Sequence, residues 1–135
     1  MKLSDHAKYY YSEKNQNCAV AILLGSSDKY GLGLDENDAA LLVGFGGGMG
    51  CRAVCGALSG AIAIIGKLFH TRSDLRSLCG EFATRFKSEF GQESIDCSVL
   101  CPKFKTKETR CEAVVVRSAD LLESFIEEVY NRENP

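Results

Sequence analysis

The sequence predicts an all-α fold, a single-domain helical bundle of about five to six helices over residues 1–135. Three observations carry that expectation. Apolar residues recur at 3.6-residue spacing, only two residues are proline, and the period-two alternation of half-buried strands is scarce. A chain of 135 residues can bury a hydrophobic core without disulfide staples. Its apolar share of 45% and charged share of 25% are ordinary for a globular domain.

Taken in order, Ser4 and Asp5 are cap candidates for a first helix through the tyrosines at 9–11, ending at Asn15 or Asn17. A second helix starts near Cys18, where CAVAILLG is apolar on more than one face, and stops at Tyr30-Gly31-Leu32-Gly33. Asp35 reads as the N-cap of a short helix over ENDAALLVGF. Met49 to Phe69 is the most apolar segment, with Ala53, Gly56, Ala57, Gly60 and Ala61 down one side. Glycine inside a helix costs about 1 kcal/mol against alanine, so Gly56 and Gly60 are expected where another helix comes close. Ser73 or Asp74 caps the next helix, whose apolar face holds Leu75, Leu78, Cys79, Phe82, Phe86 and Phe90, and Gly91 terminates it. SIDCSVLC is a short element ending at Pro102; the basic loop KFKTKETR follows, and Cys111 opens the last helix.

Charge and length exclude several classes. The net charge of −2 gives no general attraction to nucleic acid or to an anionic membrane. No apolar run approaches the roughly 18 residues that span a bilayer. The opening MKLSDHAKYYYSEKNQN has no apolar signal-peptide core, so a cytoplasmic location is expected. G-x-S-x-G and H-E-x-x-H motifs are absent, and so is the C-x-x-C-H of haem attachment. His6 and His70 read as surface or capping residues.

Five of the seven residues in GFGGGMG, 44–50, are glycine. A dinucleotide fingerprint fails on spacing, because its last position falls on Met49 or Cys51; a P-loop would need glycine where Ala61 stands. The remaining reading is steric. Gly46, Gly47, Gly48 and Gly50 make a turn where backbone comes very close to something, with N–H groups free to face an anion such as sulfide, thiolate or phosphate. A tight helix–helix connection with no ligand is the alternative.

Cysteine is the compositional outlier. Seven thiols, an odd number without a secretory signal, argue against a disulfide scaffold. Cys51 and Cys55 lie four apart, as do Cys97 and Cys101; no C-x-x-C supports a zinc ribbon or a thioredoxin-type site directly. Position says more than spacing. Cys18, Cys55, Cys97 and Cys111 each fall at or near a predicted helix start, where the dipole and free N–H groups stabilise a thiolate. Four such cysteines together would be the ligand set of an iron–sulfur cluster or of structural zinc. Packing as small apolar residues is the plain alternative for each.

NCAVAILL at 17–24, the glycine turn, CGALSGAIAIIG at 55–66, DC at 96–97 and the late Cys111 resemble the C_GCAxxG_C_C family of redox-active proteins, from about Asn17 to Val129. The resemblance implies a small helical domain, also found in split-Soret cytochromes and associated there with an iron–sulfur centre. It makes Cys18, Cys55, Cys97 and Cys111 the motif cysteines and leaves Cys51, Cys79 and Cys101 as additions. It thus implies a redox role without naming a reaction. The protein is expected to hold an iron–sulfur cluster on those four residues or to cycle thiols, with Cys55 as a low-pKa nucleophile because of its helix-start position and the glycine-opened approach to it, and with Cys18 or Cys51 resolving. Lys103, Lys105, Lys107 and Arg110 read as a solvated basic loop, with a docking patch for an acidic redox partner as the alternative. A rival class has no redox role: zinc on the same cysteines, or a metal-free module that self-associates as a homo-oligomer.

Overall fold

A computed structural model describes residues 1–91 and 93–132. Among the described residues the regular structure is entirely helical. α1 (Leu3–Lys8) continues as a wider turn to Glu13, α2 is Cys18–Tyr30, and α3 (Glu36–Ala39) tightens into a 3-10 segment to Phe45. α4 is Gly56–Phe69, α5 is Leu75–Glu89, α6 is Cys97–Phe104, and α7 is Glu112–Tyr130. Among the described residues seven helices therefore stand where five to six were expected, because SIDCSVLC supplies a helix of its own. α6 runs two residues past Pro102, and the proline's missing N–H helps keep it short.

The caps explain most boundaries. Asn17 Oδ1 accepts from Val20 N–H at 2.9 Å and starts α2; Gly31, at φ +64°, ends it. Asp35 and Asp38 close a reciprocal capping box on α3. Asp74 precedes α5, and Gly91 follows its end at φ +105°.

The most apolar segment does not start its helix at Met49. Gly47, Gly48, Met49 and Gly50 all hold φ between 64° and 72°, and a right-handed helix cannot propagate through them. α4 begins only at Gly56. Cys51 and Cys55 therefore do not share a helix face: Cys51 is exposed in the irregular loop.

α2 packs on α1 and α4, while α7 packs on α1, α4 and α5. Gly60 is where α2 and α4 touch: an added Cβ would lie 2.6 Å from the carbonyl oxygen of Ala19. The core is filled by Phe82 and Phe125 in an edge-to-face pair 5.4 Å apart, with Ile22, Ile64, Leu122 and Ile126 fully enclosed. Bridges between Arg85 and Glu128 and between Arg132 and Glu81 strap α5 to α7 on the outside. Among the described residues no helix is long and apolar enough to cross a membrane.

Candidate functional site

The packing brings four helix beginnings to one cavity. Cys18 is the first residue of α2, Cys55 immediately precedes α4, Cys97 is the first residue of α6, and Cys111 immediately precedes α7. All four line a cavity of about 240 Å3, and Cys101 lines it with them. Backbone pairing explains how Cys55 and Cys97 meet. Cys55 N–H donates to Ile95 O at 2.8 Å and Cys97 N–H to Ala53 O at 2.7 Å, around an isolated antiparallel bridge between Val54 and Asp96.

Cys111 is placed by a different device. Thr106 and Arg110 exchange two backbone hydrogen bonds of 2.9 Å, so the basic loop is a tight hairpin whose residues 105–109 stay exposed to solvent. Arg110 leaves it at φ +54°, stacks its guanidinium 4.1 Å from the centre of the Tyr11 ring, and donates to Tyr11 O at 2.7 Å. Cys111 N–H donates to the Tyr11 hydroxyl at 3.0 Å. The first helix thus orients the start of the last one.

The glycines divide. Gly47 and Gly48 line the cavity. A Cβ on Gly48 would lie 2.6 Å from both Ala53 N and Ala53 O and 2.8 Å from the Cβ of Cys97, so only glycine lets the turn sit against α6. Gly46 packs instead on Asn17, and Gly50 faces open space; neither lines the cavity. Asn17 serves twice, because its Nδ2 also donates to Val43 O at 2.9 Å, tying the α2 start to the segment that enters the glycine turn. Asn17→Ala removes both bonds, and a cap is worth about 0.5–2 kcal/mol. The melting temperature of this variant is expected to fall by several degrees, and an unchanged value would contradict the double role.

Among the described residues no carboxylate lines the cavity; Lys105 and Arg110 do. Beside it lies a shallower hollow walled by Arg52, Cys101, Pro102, Lys105, Thr106 and Lys107. Among the described residues Arg72, Arg85, Arg117 and Arg132 are paired with carboxylates, whereas Arg52, Lys105, Lys107 and Arg110 are not. Arg52 is exposed yet turns its guanidinium to Cys97, rather than simply outward to solvent. Positive charge without a carboxylate partner thus lies beside the thiols although the protein's net charge is −2.

Burial holds those thiols protonated in the metal-free protein. It pushes Cys18 up to about 12, reinforced by the neighbouring Cys55, Cys111 and Cys97. Cys111 likewise rises to about 12, through burial and then Cys101. Cys55 is raised by burial even though the N–H groups of Ala57 and Leu58 at the helix start pull the other way, so the lowered pKa expected of it is reversed. Cys97 is raised too, by burial first, against the pull of Arg52. A folded pKa above the unfolded value means stability that is complete below the unfolded value of about 8.5 and is lost as pH climbs toward the folded one. The metal-free protein is accordingly expected to lose melting temperature steadily from about pH 9 toward 12; a flat profile over that range would contradict the enclosure of Cys18 and Cys111.

Cys101 is the residue that sequence reasoning set aside and the fold brings in. It lies one turn after Cys97 on α6, and its sulfur is 3.9 Å from that of Cys111. The i, i+4 spacing to Cys97 was the available signal. Cys51 and Cys79 do not line the cavity, nor do His6 and His70. Among the described residues no three cysteine, histidine or acidic side chains are closed onto the position of a single metal ion.

No curated protein and no solved structure matches the chain. The family described as "Putative redox-active protein (C_GCAxxG_C_C)" matches residues 16–125, a span that contains all five cavity cysteines and the glycine turn. The chain belongs to the C_GCAxxG_C_C family, whose description is that of a redox-active protein.

Proposed function

We propose that the cavity is the seat of an iron–sulfur cluster held by Cys18, Cys55, Cys97 and Cys111, and that the protein acts in electron transfer within the cytoplasm. The observation that carries this reading is the convergence of those four thiols, each at a helix start, on one cavity. Soft thiolates select iron–sulfur clusters, zinc or copper(I). Four thiols on one cavity match the four-cysteine donor set of an iron–sulfur cluster. Bound there, the cluster would take up and release single electrons.

The chain's own groups suit such an occupant. Four helix starts aim the positive ends of their dipoles at the cavity, which favours a net negative ligand. Lys105 and Arg110 add positive charge at its wall, and the left-handed turn at Gly47 and Gly48 lets backbone approach without side chains. Binding must deprotonate the enclosed thiols, so metal uptake releases protons and strengthens with pH. Protein purified without oxygen should carry iron and acid-labile sulfide with broad absorption near 400 nm. Stoichiometric zinc in a colourless sample would instead give the cysteines a structural role.

The unpaired cations favour a partner with an acidic face as the electron donor or acceptor. Association should weaken steeply with salt and fall several-fold in Lys105→Glu/Lys107→Glu. Binding insensitive to both would move the docking surface elsewhere.

A further inference from the structure

We propose that Cys101 and Cys111 form a dithiol–disulfide couple that a small carboxylate-bearing disulfide oxidises, and that the bond so formed withdraws Cys111 from the cysteine site. The two sulfurs are in contact at 3.9 Å. Their separation is maintained by structure on both sides. Cys101 is buried in α6, Cys111 is tied through its N–H to Tyr11, and the segment between them is closed by the Thr106–Arg110 backbone pair. Bonding distance is about 2.05 Å, so a gap of roughly 2 Å separates the contact from the bond.

The approach is built for an anion. Cys101 belongs to the wall of both the cysteine cavity and the neighbouring hollow, and that hollow is lined by Arg52, Lys105 and Lys107. A carboxylate-bearing disulfide can therefore lie on the cations with its sulfurs beside Cys101. The Cys101 sulfur, deprotonated, attacks one sulfur of that disulfide; a mixed disulfide forms and one small thiolate leaves. Cys111 attacks the Cys101 sulfur, its proton passing to the departing sulfur, and the second small thiol leaves. The protein loses two protons and two electrons, the small disulfide gains both pairs, and it ends as two thiols.

The couple stands apart from the cluster reading; only its consequence for metal uptake rests on that reading. The full-length chain, stripped of metal by a chelator under reducing conditions and then desalted, is treated with glutathione disulfide, quenched in acid, alkylated and mapped by mass spectrometry. The expected product is a peptide pair linked through Cys101 and Cys111. Cys111→Ser should trap a glutathione adduct on Cys101, Cys101→Ser should reduce the linked pair to background, and Cys51→Ser should leave it unchanged. A map of wild-type protein that pairs these cysteines elsewhere, or leaves both alkylated, overturns the couple whatever the variants do. Oxidised and reduced samples are then offered iron and sulfide. Uptake by the reduced sample, lost on oxidation and restored by dithiothreitol, is the expected result. Equal uptake by both would refute the withdrawal of Cys111. No uptake by either would fail the cluster reading, and with it the withdrawal, while a linked Cys101–Cys111 peptide would still establish the couple.

Discussion

Gly48→Ala is expected to cost about 2–4 kcal/mol and to lower the melting temperature by roughly 10 °C. Two effects add. A left-handed φ of +64° costs an L-residue roughly 1–2 kcal/mol, and the new methyl group would press on the backbone of Ala53 and on Cys97, neither of which is the free end of a flexible chain. Gly47→Ala shares the same φ but meets nothing within 4 Å, so it should show the backbone cost alone. The difference between the two variants isolates the contact with Ala53 and Cys97. Because that contact sets α6 against the turn, Gly48→Ala should also disturb the cysteine site, whereas Gly47→Ala should spare it. Equal losses in both would mean that the turn matters only for its backbone angles.

If the proposed cluster occupies the cavity, Cys55→Ser is expected to leave the helical content intact and to abolish iron and sulfide binding. The swap changes little volume, so its stability cost in the metal-free protein is about 1 kcal/mol. The effect on loading should be far larger. Losing even an outer partner of a metal site costs about 10–100-fold, so losing a ligand should cut iron and sulfide per chain by at least tenfold. Cys51→Ser and Cys79→Ser are the controls, since neither residue lines the cavity. A Cys55→Ser protein that still carries its full cofactor would remove Cys55 from the ligand set.

Much of this arrangement is legible because it is local. Asn17 before an apolar run, Gly31 after it and Asp35 three residues before Asp38 are boundary signals with their own chemistry, and each acts as such in the fold. The helix-start positions of Cys18, Cys55, Cys97 and Cys111 follow from the same rules. Local rules stop at the glycine turn. Apolar content alone extends α4 back to Met49, but four consecutive left-handed residues forbid it, and one of them is not glycine. The alignment of Cys55 with Cys97 depends on two backbone bonds, Cys55 to Ile95 and Cys97 to Ala53, between segments far apart in sequence, and nothing in either segment announces the other. Cys101 looked superfluous because resemblance ranks motif residues, whereas the helix places it by geometry. Arg110 looked like a solvated cation because its partner, Tyr11, is 99 residues away.

The most direct test of the central claim is the absorption spectrum between about 300 and 700 nm of protein purified without oxygen, with iron, zinc and sulfide measured on the same sample. Broad bands near 400 nm with stoichiometric iron and sulfide are the predicted result. A colourless sample with no iron or sulfide, from protein whose cysteines are shown to be reduced, would contradict it.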